Sequence, residues 1–237
     1  MRVLAIDSSA CTASVAIAEE NKILCEFYSN TRLTHSQTLM SMVKDALDCT
    51  GIELSTIDLF ASSTGPGSFT GIRIGVSAIK GMAQAMKKPC LGVSTLEAIA
   101  VNIVLKNCIV CSVMDARCSQ VYNATFKCEN NTLTRLTEDK ALSILELEEY
   151  LQTIDDSLPI VLAGDGAELC YNNFMRNNNI LIAPDIIRFQ RATGVGIIAL
   201  NHLHTNEITT ANNLTPKYLR LPQAERELRI KNGEVFK

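Results

Sequence analysis

Any chemistry in this chain has to come from three sets of residues. The first is the run STGPGSFTGIRIG, residues 63–75, where glycines, a proline and hydroxyl side chains sit between an apolar strand pattern and a helical one. The N–H groups of such a turn, and those at the start of the helix after it, can hold an anion. The second is a pair of aspartates, Asp7 and Asp115, each closing an apolar segment ahead of a short polar turn, DSSAC and DARCS. A carboxylate there can hold a metal phosphate or activate water, or it can accept the hydrogen bonds of its own turn. The third set is the three histidines, His35, His202 and His204, together with nine cysteines.

Spacing decides against most of these chemistries. Phosphate-wrapping hairpins use glycine so that backbone N–H groups can approach the ligand, and neither DSSAC nor DARCS contains one. Side chains would crowd a triphosphate, so Asp7 and Asp115 read as a vestigial nucleotide cleft. The GPGS turn lacks the GxxxxGK[ST] spacing, and Lys80 falls well inside the following helix. Ser68 lies in GPGSF rather than in a GxSxG elbow. A helical two-histidine metal site needs its second ligand four residues after His35, where Leu39 stands. The reading is therefore no catalytic residue, no metal, and no cofactor held by this chain alone.

The cysteines are an odd number, spread through apolar segments, and read as reduced core thiols of a cytoplasmic protein. Cys108 and Cys111 form a CxxC on a strand pattern, which points their sulfurs to opposite faces. With 237 residues, 47% hydrophobic and 20% charged, the chain has enough apolar residues for a sizeable core. A net charge of −3, no tryptophan and 5% aromatics leave little basis for direct nucleic-acid binding or base stacking. The N-terminal apolar run is too short for a signal peptide or a membrane span.

Two similar sets of elements must position these residues. VLAIDSSACTASVAIA reads as strand, turn and strand, KILCEFYS as a third strand and HSQTLMSMVKDALDC as a helix. IDLFASS is a buried strand, followed by the glycine turn, a helix to about Met86, the strand CLGVS, and a helix STLEAIAVNIVL. Ser94 or Thr95 is placed to cap that last helix, with Glu97 positioned for a capping box. The second half repeats the scheme. CIVCSVMDARCSQVYNATFK is again strand, turn and strand, SILELEEYLQT and AELCYNNFMRN are helices, and LAGDGA answers STGPGS. This duplication predicts an α/β fold of two ribonuclease-H-like subdomains with mixed sheets and flanking helices, as in actin-like ATPases. Their bounds are 1–105 and 106–237, with a peripheral C-terminal tail.

The helix after the glycines carries two apolar stripes. Gly71, Gly75, Ala78, Met82 and Ala85 form one; Ile72, Val76, Ile79, Ala83 and Met86 form the other. A surface helix needs one apolar stripe to dock on its own sheet, so the second implies another neighbour. That neighbour is either the helix at 35–49 or another chain. The expected partner face comprises Leu39, Val43, Leu47, Phe69, Gly71, Ile72, Gly75, Val76 and Ile79. On this reading Gly75→Leu blocks association and leaves the isolated subunit folded.

VLAIDSSACTASVAI, HSQTLMSMVKDAL, GPGSFTGIRIGVSAIKGMAQAMKKPCLGVSTLEAIA and DARCSQVYNATF together resemble the bacterial TsaB (YeaZ) family, from residue 2 to about 126. PKYLR is similar to the terminal motif of that family; residues 127–210 match only in general pattern. The resemblance implies a non-catalytic role in making N6-threonylcarbamoyladenosine at position 37 of tRNA. The implied partners are a TsaD-like catalytic paralogue and a TsaE-like ATPase. It also implies self-association through the N-terminal helices, contact with tRNA only through the complex, and ATP or ADP in the assembly. An active ATPase or kinase of the actin-like class, and a metallopeptidase, are the competing activities.

Overall fold

The computed structural model describes residues 1–20, 22–31, 33–103, 107–154, 157–175, 179–202 and 208–221. Continuous apolar runs become central strands covered on both faces. The strands of the first half are β1 (Arg2–Asp7), β2 (Ala13–Glu19), β3 (Lys22–Ser29), β4 (Leu59–Gly65) and β5 (Cys90–Ser94), of which β3 and β5 are the edges. They form one sheet in the order β3-β2-β1-β4-β5, with β1 antiparallel to β2 and parallel to β4. The helices are α1 (His35–Thr50), α2 (Phe69–Met86) and α3 (Thr95–Val101).

The second half builds β6 (Cys108–Asp115), β7 (Gln120–Glu129), β8 (Thr132–Arg135), β9 (Lys140–Ser143), β10 (Ile160–Ala163) and β11 (Ile180–Ile182). Its sheet runs β8-β7-β6-β10-β11, the same order as the first, with β9 also pairing to β7. Its helices are α4 (Ile144–Leu151), α5 (Ala167–Asn173), α6 (Asp185–Arg188) and α7 (Ala192–Asn201). Two sheets of identical order, each opened by an antiparallel hairpin and extended by parallel strands, make the predicted pair of ribonuclease-H-like units.

Alternation along β1 shows how the layers are held. Leu4 and Ile6 pack with Leu39, Val43, Ile72 and Ile79 of α1 and α2. Val3 and Ala5, on the other face, pack with Val195 and Ile198 of α7. Leu96, Ile99 and Ala100 of α3 cover the second sheet instead. Each half therefore lends a helix toward the other. Gly194 permits their close crossing: a Cβ there would lie 2.2 Å from the carbonyl oxygen of Ala98.

Cys108 and Cys111 fall in different clusters on opposite faces of β6, as strand alternation requires. All nine cysteines are free thiols, and burial pushes Cys90 up to about 11 and Cys170 up to about 12. Ser94 caps α3, its Oγ accepting the N–H of Glu97 at 3.3 Å. The Glu97 carboxylate does not close a capping box. It accepts from Arg135 at 2.7 Å, because a guanidinium on the neighbouring β8 is a stronger donor than the cap N–H. The tail, expected to be peripheral, is instead part of the first lobe as far as it is described. Thr209 and Cys90 exchange two backbone hydrogen bonds of 2.8 Å, and Leu214 is buried in the α1–α2 core. Residues 222–237 lie outside the described residues.

Candidate functional site: a cleft between hairpins and a groove between helices

Asp7 closes β1 and is fully buried. Its Oδ1 accepts from the Ser9 N–H at 2.9 Å and from the Ser9 hydroxyl at 2.7 Å. Burial pushes its carboxyl above the ordinary range, against the lowering effect of those two bonds. The turn that follows is seated in the glycine run. The Ser68 N–H donates to the Ser9 carbonyl at 2.7 Å, and the Ser8 hydroxyl donates to the Gly71 carbonyl at 2.9 Å. A Cβ on Gly67 would lie 2.4 Å from the Ser9 oxygen, one on Gly71 2.0 Å from the Ser8 oxygen, and one on Gly75 2.4 Å from the Ser8 hydroxyl. The glycines are thus required by the close packing of the chain's own hairpin turn.

Asp115 closes β6 in the same manner. Its Oδ1 accepts the Arg117 N–H at 2.7 Å, and the Arg117 guanidinium reaches Oδ2 at 3.1 Å. Arg117, Cys118 and Ser119 have φ of 66°, 56° and 55°, the left-handed region that glycine occupies without steric cost. The side chains of this turn face a cleft of about 360 Å³ whose walls include Ser9, Ser68, Met114, Arg117, Tyr122 and Asp165.

Asp165 was not singled out in the sequence, although the match of LAGDGA to STGPGS marked its loop. Burial pushes its carboxyl up to about 6, opposed by a hydrogen bond from the Gln190 amide at 2.8 Å. No group of three or more His, Cys, Asp and Glu side chains gathers to hold a metal among the described residues. The His35 ring uses Nε2 on the Ala10 carbonyl at 2.7 Å. Leu39, four residues on, is a core side chain. His204 lies outside the described residues.

The described end of the chain fastens this corner. The Lys217 N–H donates to the Thr64 carbonyl at 2.7 Å, and a Cβ on Gly65 would meet the Lys217 carbonyl oxygen at 2.2 Å. Tyr218 stacks on Phe69, with ring centroids 4.5 Å apart, and accepts from Arg73 Nε at 2.8 Å. Arg220 donates to the Ala116 carbonyl in the second hairpin turn. PKYLR therefore spans from the glycine turn to the opposite lobe.

The expected partner face is rearranged by the structure. Leu39, Val43, Ile72, Val76 and Ile79 all point at the first sheet and are buried within the subunit. Gly71 and Gly75 face Ser8, so most of both stripes of α2 is used internally, Ala78 and Ala85 excepted, and Gly75→Leu would disrupt the subunit itself. Leu47 and Phe69 are half-buried.

What the two helices leave to solvent is a mostly apolar groove of about 600 Å³ between them. Met40, Thr70, Arg73, Ile74, Ser77 and Ala78 form most of its lining, and Met40 is 51% exposed. Ile74 was missed because it lies outside both stripes on the helical wheel, at the border of the glycine stripe with the polar face. Only the depth of packing shows that it is left outside.

The family model for TsaD, tRNA N6-adenosine threonylcarbamoyltransferase, matches residues 23–228. The tRNA threonylcarbamoyladenosine biosynthesis protein TsaB of Escherichia coli strain K12 is 29% identical over 223 residues, covering 93% of this chain and 95% of that protein. The chain belongs to the TsaB (YeaZ) family. TsaB of Bacillus subtilis strain 168 is 27% identical, with 95% of this chain and 96% of that protein covered. The solved structure of YeaZ from Pseudomonas aeruginosa superimposes with a TM-score of 0.79 at 26% identity, covering 92% of this chain and 99% of that one. Family membership thus extends through residues 127–210, where the sequence motifs were weak.

Proposed function

We propose that this chain is the non-catalytic subunit of the machinery that makes N6-threonylcarbamoyladenosine at position 37 of tRNA. It works by binding the TsaD-like catalytic paralogue, which a TsaE-like ATPase joins. The observation that carries this reading is that the glycines of the GPGS run are engaged by the chain's own hairpin turn, Ser8 and Ser9 packing on Gly67, Gly71 and Gly75. A glycine run whose N–H and Cα positions are taken up by its own hairpin, with no glycine in either hairpin turn, is suited to binding rather than to phosphoryl chemistry. The groove between α1 and α2 offers the binding surface. The exposed Met40 beside the half-buried Ile74 in a concave lining favours a protein partner there. The same groove serves a homodimer when the paralogue is absent. ATP or ADP belongs to the assembly rather than to this chain, and tRNA is reached only through the complex.

The family membership supports the tRNA pathway, and the reading places the protein in the cytoplasm. No helix of the described residues is long and apolar enough to cross a membrane. The competing activities require groups that the geometry engages otherwise. A kinase or ATPase needs hairpin turns whose backbone can approach phosphate, and DSSAC and DARCS contain no glycine. A metallopeptidase needs ligands beside His35, where Leu39 is buried.

Reconstitution tests the proposal. Cognate TsaD, TsaE, the adenylate-forming synthase, threonine, bicarbonate, ATP and tRNA are combined with and without this protein, and modified adenosine is quantified. Modification should appear only when the chain is added. Equal modification in its absence refutes the accessory role.

A further inference from the structure

The groove between α1 and α2 is apolar apart from its hydroxyls, the His35 ring and one charge. Of the residues that line it, only Arg73 is permanently ionised. Among the described residues Arg73 has no carboxylate partner. Its hydrogen bond goes from Nε to the Tyr218 hydroxyl at 2.8 Å, and its guanidinium carbon sits 5.5 Å from the centroid of the same ring. Tyr218 is itself held, stacked on Phe69 and following Lys217, whose N–H is bound to the Thr64 carbonyl. A long, flexible side chain at a groove rim is normally mobile. This one is tied through its Nε, which leaves the two terminal nitrogens available in a fixed fork, the geometry that a carboxylate accepts in a bidentate pair.

Resting on the accessory-subunit reading, we infer that Arg73 selects the partner of this groove, and that Tyr218 of the C-terminal segment is the positioning residue that aims it. The occupant is a heterologous partner presenting apolar side chains and one carboxylate opposite Arg73. A second copy of the chain offers less. The lining of the groove contains no carboxylate, and Asp48, on the far turns of α1, is already paired with Lys44. Self-pairing through the groove would bring Arg73 against a lining without a carboxylate, the exposed Asp45 of α1 lying outside that lining. Complementary charge at an interface contributes mainly to choice of partner and encounter rate. The cation therefore favours the carboxylate-bearing partner over the homodimer. Because Tyr218 belongs to the segment that also reaches Ala116 through Arg220, the aim of Arg73 is tied to the juxtaposition of the two lobes.

The test measures binding of the full chain to the cognate catalytic paralogue by calorimetry at 50 and 300 mM salt, and the homodimer constant by sedimentation. The variants are Arg73→Glu, Arg73→Lys, Tyr218→Phe and Tyr218→Ala, each first checked for an unchanged melting temperature. Arg73→Glu should weaken paralogue binding at least tenfold at 50 mM salt and by less at 300 mM, where the new repulsion is screened, and leave the homodimer constant unchanged or tighter. Arg73→Lys should recover part of the affinity. Tyr218→Phe should weaken binding by about threefold and Tyr218→Ala by more, both acting through Arg73, so that neither adds to Arg73→Glu. Wild-type binding with Arg73→Glu within twofold of it overturns this inference alone. So does a homodimer weakened as much as the heterologous complex, which would make the second copy the occupant that Arg73 serves. Absence of binding by the wild-type chain overturns the accessory reading, and this inference with it.

Discussion

The two lobes share one topology and one turn device, yet they treat it differently. In both, an aspartate at the end of the first strand accepts the N–H two residues on: Asp7 from Ser9, Asp115 from Arg117. In the first lobe that turn is driven into the glycine run and buried. In the second it stays near solvent, with its aspartate covered by an arginine that is itself 81% exposed. The helices differ too. α1 and α2 have 16 and 18 residues and leave a groove between them. α4 and α5 have eight and seven. A duplicated fold has thus been divided into one lobe with long paired helices, suited to docking, and one whose helices mainly cover their own sheet.

The largest expected effect lies at the buried turn. Gly71→Val should destabilise the protein by roughly 3 kcal/mol or more in chemical denaturation, because backbone, not a yielding side chain, lies where the new Cβ must go. An unaltered denaturation midpoint would break the contrast between the turns. In the second lobe the corresponding test is electrostatic. The Asp165 carboxyl is raised to about 6 by burial, so the folded state holds a proton that the unfolded chain releases near pH 4. Its contribution is most favourable below pH 4, falls as pH rises to about 6, and is constant above. Asp165→Asn should remove that slope and gain up to about 3 kcal/mol relative to wild type at pH 7.5, with no gain at pH 4. Paired melts at the two pH values check the sign.

The third comparison separates binding from folding. Ile74→Arg, in the groove of the first lobe, should weaken the complex with the paralogue at least tenfold, about 1.4 kcal/mol, while the melting temperature holds. Leu145→Arg, on the exposed side of α4, should change neither quantity. Equal effects from the two would mean that the lobes are not specialised as argued. The smallest effect is expected at Gly81 of α2, where nothing lies within 4 Å of a Cβ. Gly81→Ala should stabilise by about 0.5–1 kcal/mol, which separates it from Gly71 on the same helix.

Much of the architecture was legible because it rests on local periodicity. Strand–turn–strand repeats, the helix after GPGS, and the opposed faces of Cys108 and Cys111 follow from period and spacing alone. Short strands such as β8, β9 and β11 were not legible, since three or four residues carry no usable period. Nor was α7, apolar nearly all round because it lies between the first sheet and α3.

The sequence by itself determined two similar α/β halves, turns without phosphate-binding glycines, and a helix with more apolar surface than one contact needs. Which of that surface is used internally was decided only by the tertiary structure. Gly71 and Gly75 are answered by Ser8, from a hairpin more than sixty residues earlier. PKYLR is answered by Thr64, Phe69 and Arg73, and Asp165 is raised by burial in a cleft that draws its walls from both halves. A helical wheel reports the direction of each side chain but not the depth of its neighbour. Whether a small residue marks a partner or the chain's own backbone depends on long-range packing.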